Sequence, residues 1–252
     1  MNTGLRVALI GYGRMGKELH LLMRERQWPH PLIIDPGVES AASTVAEADL
    51  TAVDVCIEFT APSQAADNII AALRKGASVV SGSTGWQQRV GEVRRTAEES
   101  GGAVLHGSNF SLGVAVFNAV VAHAASLLAR FPQYDISLHE IHHRGKKDIP
   151  SGTAHMLAES ILRAHAGKRR SSLLPESGPF AEDTLYITAA RSGTVVGEHV
   201  VTADSEADEI RLLHRAKGRR GFAEGALAAA EWLQGKTGYF TLEDMIDDII
   251  TA

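Results

Sequence analysis

Residues 5–16 read LRVALIGYGRMG. A short apolar run rich in β-branched side chains meets three glycines, Gly11, Gly13 and Gly16, in the spacing G-x-G-x-x-G. KELHLLMRERQW (17–28) then repeats apolar residues at helical spacing. The order strand, glycine turn, helix is how a dinucleotide-binding unit begins. Glycines let the backbone close on a pyrophosphate, and the helix N-terminus adds N–H donors and partial positive charge. The spacing alone is weak evidence. It is strengthened by its flanks and by Asp35, which ends the next apolar run, HPLIID (30–35).

Asp35 bears on cofactor choice. A carboxylate there can accept hydrogen bonds from both ribose hydroxyls of NAD and would repel a 2′-phosphate. Pro36 and Gly37 bring no positive charge, so NADH is expected over NADPH. Within the loop, which also holds Tyr12 and Met15, Arg14 can still reach a phosphate, and NADPH stays open. The plain alternative for Asp35 is an ordinary turn former.

Working outward, strands and helices alternate. VDVCIEFT (53–60), ASVVSGST (77–84) and GAVLHGSN (102–109) read as strands; SQAADNIIAALRKG (63–76) and QQRVGEVRRTAEESG (87–101) read as helices. Several strands are apolar on both faces, which predicts a parallel sheet covered on both sides. In such sheets ligands sit beyond the carboxyl ends of the strands. Phe59 and Thr60, and Gly82, Ser83 and Thr84, occupy such ends.

Near residue 109 the rhythm changes. A long helix (112–131) leads to YDISLHEIHH (134–143), which alternates as a strand, and then to a helix over 153–167. Residues 168–183 read as a polar loop. TLYITAARSGTVVGEHVVTA (184–203) reads as two strands joined at Ser192-Gly193, and DEIRLLHRA (208–216) as another. Strands without helices between them predict an antiparallel or mixed sheet. GFAEGALAAAEWLQG (221–235) is an amphipathic helix expected to return to the first domain. The expected organisation is an α/β dinucleotide-binding domain, 1–109 completed by 219–252, with an α+β domain over 110–218.

Bulk properties narrow the function classes. The 252 residues are 44% hydrophobic and 22% charged, which fits a globular chain. A formal charge of −5 supplies no global basic field for nucleic acid or anionic lipid. The single cysteine, Cys56, sits in an apolar run and reads as a buried thiol. No signal-peptide pattern and no apolar run of about 18 residues is seen, so a cytoplasmic protein is expected.

The chemistry concentrates in HEIHHRGKKDIPSGTAH (139–155). On a strand, Ile136, Leu138, Glu140 and His142 share one face, while His139, Ile141 and His143 share the other. Zinc is set aside: the spacing fits no closed site, no cysteine joins it, and the neighbours are cationic. Arg144, Lys146 and Lys147 supply positive charge. Ser151, Gly152 and Thr153 precede a helix whose N–H groups can hold a carboxylate. A histidine there can pass protons near neutral pH. The stretch reads as dicarboxylate recognition with acid–base chemistry; a solvated basic loop is the bland alternative.

EIHHRGKKDIPSGTA resembles the signature of the dihydrodipicolinate reductase family, E-x-H-H-x-x-K-x-D-x-P-S-G-T-A, with every fixed position filled. GYGRMG, FTAP, GSTG, NFSLGV and FAEGALAAAEWL extend the resemblance over nearly the whole chain. It implies reduction of 4-hydroxy-tetrahydrodipicolinate to tetrahydrodipicolinate with loss of water, in diaminopimelate and lysine synthesis. It implies His142 as proton donor and acceptor, Lys146 as a second proton-donating or polarising group, and His143, Gly152 and Thr153, with Ser151 beside them, as substrate contacts. Gly11 to Gly16, Asp35, Gly82 to Thr84, and Gly107, Ser108, Asn109 and Phe110 line up with cofactor contacts. Members are usually homotetramers built through the second domain's sheet. This chain departs in the first loop, where many members have G-x-x-G-R-M-G, and at Asp35-Pro36, where many have an acid followed by arginine. The rival readings are another amino- or imino-acid dehydrogenase, such as an aspartate dehydrogenase, and a nicotinamide sensor without chemistry. Neither needs H-H-x-x-K followed by S-G-T.

Overall fold

The structure, a computed structural model, describes residues 4–39, 41–174 and 180–251. The chain divides into two compact units, one ending at Leu112 and resuming at Arg219, the other Gly113–Gly218.

The first unit carries a six-stranded sheet, all neighbours parallel. Its strands are β1 (Val7–Ile10), β2 (Leu32–Ile34), β3 (Val55–Glu58), β4 (Ser78–Ser81), β5 (Ala103–His106) and β11 (Gly238–Thr241), in the order β11-β5-β4-β3-β1-β2. Alternate residues feed two cores, as the pleat requires. Val7, Leu9, Val55, Ile57 and Leu105 meet α1 (Arg14–Glu25) and α6 (Arg220–Trp232). Ala8, Ile10, Cys56, Val79 and Val104 meet α2 (Pro62–Arg74) and α3 (Val90–Ser100). Cys56 is fully buried, and burial pushes its thiol up to about 12. The order in which strands are added reverses at β1, between β2 and β3, so the glycine turn opens at the switch point of the sheet.

The second unit holds a mixed five-stranded sheet, β10-β9-β6-β8-β7. Its members are β6 (Asp135–His142), β7 (Arg170–Leu173), β8 (Thr184–Arg191), β9 (Glu198–Asp204) and β10 (Glu209–Arg215). Helices α4 (Leu112–Leu128) and α5 (Gly152–Ala164) cover one face, burying Phe117, Val121, Leu157 and Ile161 against Ile136, Leu138, Ile187 and Val201.

Two expectations need correction, and the end of the chain adds two elements. The strands on either side of Ser192-Gly193 do not form a hairpin. β6 lies between them, parallel to β8 and antiparallel to β9. The connection instead crosses the end of β6: Ser192 N–H donates to the His142 carbonyl at 2.8 Å, and Arg144 N–H to the Gly193 carbonyl at 3.2 Å. The polar stretch 168–183 contains β7, which is exposed at every residue and so lacks an apolar stripe; its residues 175–179 lie outside the described residues. Beyond 235, β11 and helix α7 (Leu242–Thr251) complete the first unit. Thr241 caps α7 reciprocally, its Oγ1 accepting from Asp244 N–H at 3.2 Å while Asp244 Oδ2 accepts from Thr241 N–H at 2.7 Å.

Candidate active site

In the first unit each glycine of the loop has its own reason. Gly11 has φ +90°, and a Cβ there would lie 2.4 Å from the Phe59 carbonyl oxygen. A Cβ at Gly16 would lie 2.4 Å from the Gly11 carbonyl oxygen, so this glycine lets α1 close on the turn. At Gly13 a Cβ would meet nothing within 4 Å. The first and third glycines are therefore demanded by the protein's own packing. The middle one leaves the backbone bare toward the outside, where a pyrophosphate can approach. Arg14 and Gly13 are exposed, and Tyr12 and Met15 are half-buried. This cradle fits a dinucleotide.

Asp35 accepts from Tyr12 N–H and from Gly37 N–H, both at 2.7 Å. It thereby ties the glycine loop to the end of β2. A carboxylate has about four acceptor sites, so two backbone donors leave capacity for a sugar hydroxyl.

The segments after β3 and β4 are fastened by Glu58, a fully buried carboxylate. Its Oε1 accepts from Thr60 N–H at 2.7 Å and Ser83 Oγ at 2.8 Å, and its Oε2 accepts from Ser81 Oγ at 2.6 Å. Ser83 is thus a strut, whereas Thr84 is exposed. A Cβ at Gly82 would lie 2.0 Å from the Phe59 ring. Gly107 is buried, Ser108 exposed, and the Asn109 side chain accepts from Ser111 N–H at 2.9 Å. Phe110 is 1% exposed, and its ring packs edge-on to Phe59 within the core, so its side chain seats the segment.

In the second unit β6 explains the basic stretch. Ile136, Leu138, Glu140 and His142 are all buried on one face. The first two enter the apolar core; the last two continue that stripe as polar groups beyond it. Of the other two histidines, His139 points to the opposite face, where Nδ1 lies 2.7 Å from Thr188 Oγ1, and His143 is exposed in the loop that follows.

Glu140 is the hub. It is fully buried and accepts from Arg191 Nη2 at 3.0 Å and from Ser151 N–H at 3.1 Å. Its Oε2 is 3.6 Å from both His142 Nδ1 and His199 Nε2. Burial alone would raise this carboxyl, but His199, Ser151 and Arg191 outweigh it and hold Glu140 far below the usual carboxylate range. Arg191 also reaches the carbonyls of Lys146 at 3.3 Å and Asp148 at 2.6 Å, clamping the loop that carries Lys146. Lys146 Nζ lies 2.9 Å from Asp148. Ser151 caps α5, its Oγ accepting from Ala154 N–H at 3.2 Å. Space is open at Gly152, where a Cβ would meet nothing within 4 Å. One end of this unit therefore gathers Lys146, exposed Arg144 and Lys147, and the positive end of α5.

His199 and Arg191 escaped the sequence reading because they arrive from β9 and β8, with no local spacing to mark them. The ligating atoms of Glu140, His142 and His199 lie within 4.8 Å of one another, a set that spacing along one strand did not contain. The Arg191 guanidinium already sits on the same carboxylate and disfavours a further cation there.

Residues 5–110 match the family model described as dihydrodipicolinate reductase, N-terminus, and residues 113–246 match its C-terminus. The chain belongs to the dihydrodipicolinate reductase family. The 4-hydroxy-tetrahydrodipicolinate reductase of Christiangramia forsetii is 37% identical over 245 residues, spanning 97% of this chain and 99% of its own length. That of Methanoregula boonei is 35% identical over 244 residues, 93% of this chain and 94% of its own. A dipicolinate-bound dihydrodipicolinate reductase from Paenisporosarcina sp. TG-14 shares the fold, with TM-score 0.74 at 21% identity, over 96% of this chain and 99% of that one. An amine dehydrogenase from Mycobacterium smegmatis also shares the fold, at TM-score 0.59 and 9% identity. Fold alone therefore does not separate these two proteins; membership of the dihydrodipicolinate reductase family rests on the matched family models and the identity to the reductases.

Burial makes the same histidines acid-sensitive. It pushes His142 down to about 4 and lowers His20, His106, His165 and His214 from 6.5. Each is neutral when folded and takes up a proton on unfolding. Their contribution is thus complete above about 6.5 and is lost as pH falls below it, for His142 down to about 4. For His142 alone the limit is ~3 kcal/mol. The melting temperature is expected to fall between pH 7 and pH 4.5, and less steeply in His142→Gln. Equal slopes in the two proteins would refute the assignment of this acid loss to His142.

Proposed function

We propose that the chain reduces 4-hydroxy-tetrahydrodipicolinate to tetrahydrodipicolinate with a reduced nicotinamide cofactor and loss of the hydroxyl as water, in diaminopimelate and lysine synthesis. The observation that carries this reading is the signature E-x-H-H-x-x-K-x-D-x-P-S-G-T-A, whose strand, loop and helix start are fastened to the buried carboxylate of Glu140. A reduced nicotinamide, bound at the glycine cradle, supplies hydride. The chain's own residues bind, orient and protonate. Gly11, Gly13 and Gly16 present the loop to the pyrophosphate, and Asp35 faces the adenosine ribose. Phe59, Thr60, Gly82 and Thr84 border the remainder.

On the second unit, Lys146, His143 and the first turn of α5 at Ser151, Gly152 and Thr153 hold the two substrate carboxylates. His142 protonates the carbon next to the one that accepts hydride, and Lys146 polarises the substrate. His142 is neutral in the ligand-free protein. Two arriving carboxylates favour its cation, so the proton is loaded with the substrate. No helix among the described residues is long and apolar enough to cross a membrane; a cytoplasmic enzyme is proposed. The sheet face away from α4 and α5 carries Ile141, Val200 and Leu213 and is where copies would join as a homotetramer.

Asp35 with Pro36 favours NADH, and Arg14 leaves NADPH usable. Substrate made fresh from pyruvate and aspartate semialdehyde by the preceding synthase, mixed with enzyme and either cofactor, tests both statements by loss of nicotinamide absorbance. Oxidation of NADH at the higher kcat/KM is expected, with the gap narrowed in Asp35→Ala. Oxidation of neither cofactor, by protein that binds NADH, would overturn the function; faster NADPH oxidation would overturn only the role of Asp35.

A further inference from the structure

We infer that Glu140 is the positioning residue of the active site: it holds the ring of His142 and, through Arg191 and Ser151, fastens the Lys146 loop and the α5 N-terminus to the same point. The inference rests on His142 as the proton donor proposed above.

Four observations converge. Glu140 precedes His142 by two residues on one strand face, so their side chains lie side by side. Its Oε2 stands 3.6 Å from His142 Nδ1, and that buried nitrogen has no hydrogen-bond partner among the described residues. A proton on that nitrogen is directed toward the Glu140 carboxylate, the anionic acceptor beside it. Its Oε1 is bound by Arg191, which reaches the carbonyls of Lys146 and Asp148, and both oxygens face the N–H of Ser151, the cap of α5. Finally, the opposite ring edge is confined: a Cβ at Gly197 would lie 3.0 Å from His142 Nε2, and the His199 ring stands edge-on with centroids 5.2 Å apart.

The division of labour follows. With Nδ1–H directed at Glu140, the imidazolium has one remaining proton, on Nε2, to give. Once that proton leaves for the substrate carbon, the Nδ1–H tautomer remains and needs no rotation before it is reloaded. The charges that face His142 are Glu140 on its own strand, Arg191 on β8, His199 on β9 and Lys146 in the following loop. Only Glu140 among them favours the imidazolium; the other three oppose it. Removing the Glu140 charge while keeping the side chain's shape therefore makes His142 a stronger acid, deprotonated at lower pH.

The test compares wild type, Glu140→Gln and His142→Gln across pH at saturating cofactor. In the wild type at saturating substrate, kcat should fall on the alkaline side as His142 of the substrate complex deprotonates, and this limb should be missing from His142→Gln. In Glu140→Gln, kcat should drop roughly tenfold to a hundredfold, as for a misplaced reacting group. The alkaline limb should move to lower pH by about one unit, and Kd for NADH should be unchanged, since Glu140 lies in the other unit. A limb that stays in place, with or without lower kcat, would overturn the inference and leave His142's role standing. A limb that persists in His142→Gln would overturn both. If Glu140→Gln does not fold, the wild type decides: nitrogen-15 shifts of the neutral His142 ring, assigned by their disappearance in His142→Gln, should report the Nδ1–H tautomer, and the Nε2–H tautomer sinks the proposal.

Discussion

His142→Gln is expected to lower kcat on the order of a hundred- to ten-thousandfold, the range for loss of a general acid. Kd for NADH should remain at the wild-type value, because the glycine cradle and Asp35 belong to the other unit. Glutamine keeps a polar tip of similar reach but cannot donate a proton as an acid. The same variant isolates the loading step. With His142 held at about 4 in the free protein, the ring is neutral at pH 7. Binding of pyridine-2,6-dicarboxylate, a stable planar analogue, should then take up close to one proton in the wild type. Calorimetry in buffers of different ionisation enthalpy reads this directly. Absent uptake in His142→Gln places the proton on that ring, whereas equal uptake in both proteins places it elsewhere.

Gly11→Ala should be the most damaging single-methyl change at the cofactor cradle. The residue has φ +90°, where an L side chain is strained by about 1 kcal/mol or more, and its Cβ would lie 2.4 Å from the Phe59 carbonyl oxygen. The second problem is the larger, because that oxygen belongs to backbone just beyond β3 and cannot swing aside. The turn must open or the Phe59 segment must shift, and both carry proposed cofactor contacts. We expect Kd for NADH to rise roughly tenfold to a hundredfold, with melting lowered by several degrees. Gly13→Ala is the control. Its Cβ meets nothing within 4 Å among the described residues, so stability should hold while the new methyl stands where the pyrophosphate approaches. Equal NADH affinity in all three proteins would remove this loop from the cofactor site.

Much of this was legible from the chain itself, for a physical reason. Strands β1, β3, β4 and β5 are buried on both faces, so each is an apolar run that stands out against its polar connections. The alternation Ile136, Leu138, Glu140, His142 was equally plain, and it placed two polar residues on the face that turns inward. The failures share a different cause. β7 reads RSSL and is exposed throughout, so hydrophobicity could not reveal it. Thr241 and Asp244 did carry a helix-start signal that the reading passed over. The supposed hairpin at Ser192-Gly193 followed a local turn cue, whereas pairing was set by β6, which sits between the two strands. Arg191 and His199 reach Glu140 from those strands, across 51 residues in one case. No spacing rule links residues whose proximity depends on a sheet order that inverts the chain order.

The two units share one constructional habit. In each, a strand carries a glutamate with no exposed surface at or near its end, Glu58 closing β3 and Glu140 two residues before the end of β6, and the neighbouring loops are bonded to that carboxylate. The loops are thus anchored at a few chosen atoms, while the residues between the anchors face outward. Thr84 on one unit, and Arg144, Gly145 and Lys147 on the other, are such free spans. For protein engineering these are the places to rewrite ligand preference: their side chains can be exchanged without unmooring the backbone that carries them, provided the two glutamates and their serine partners are left untouched.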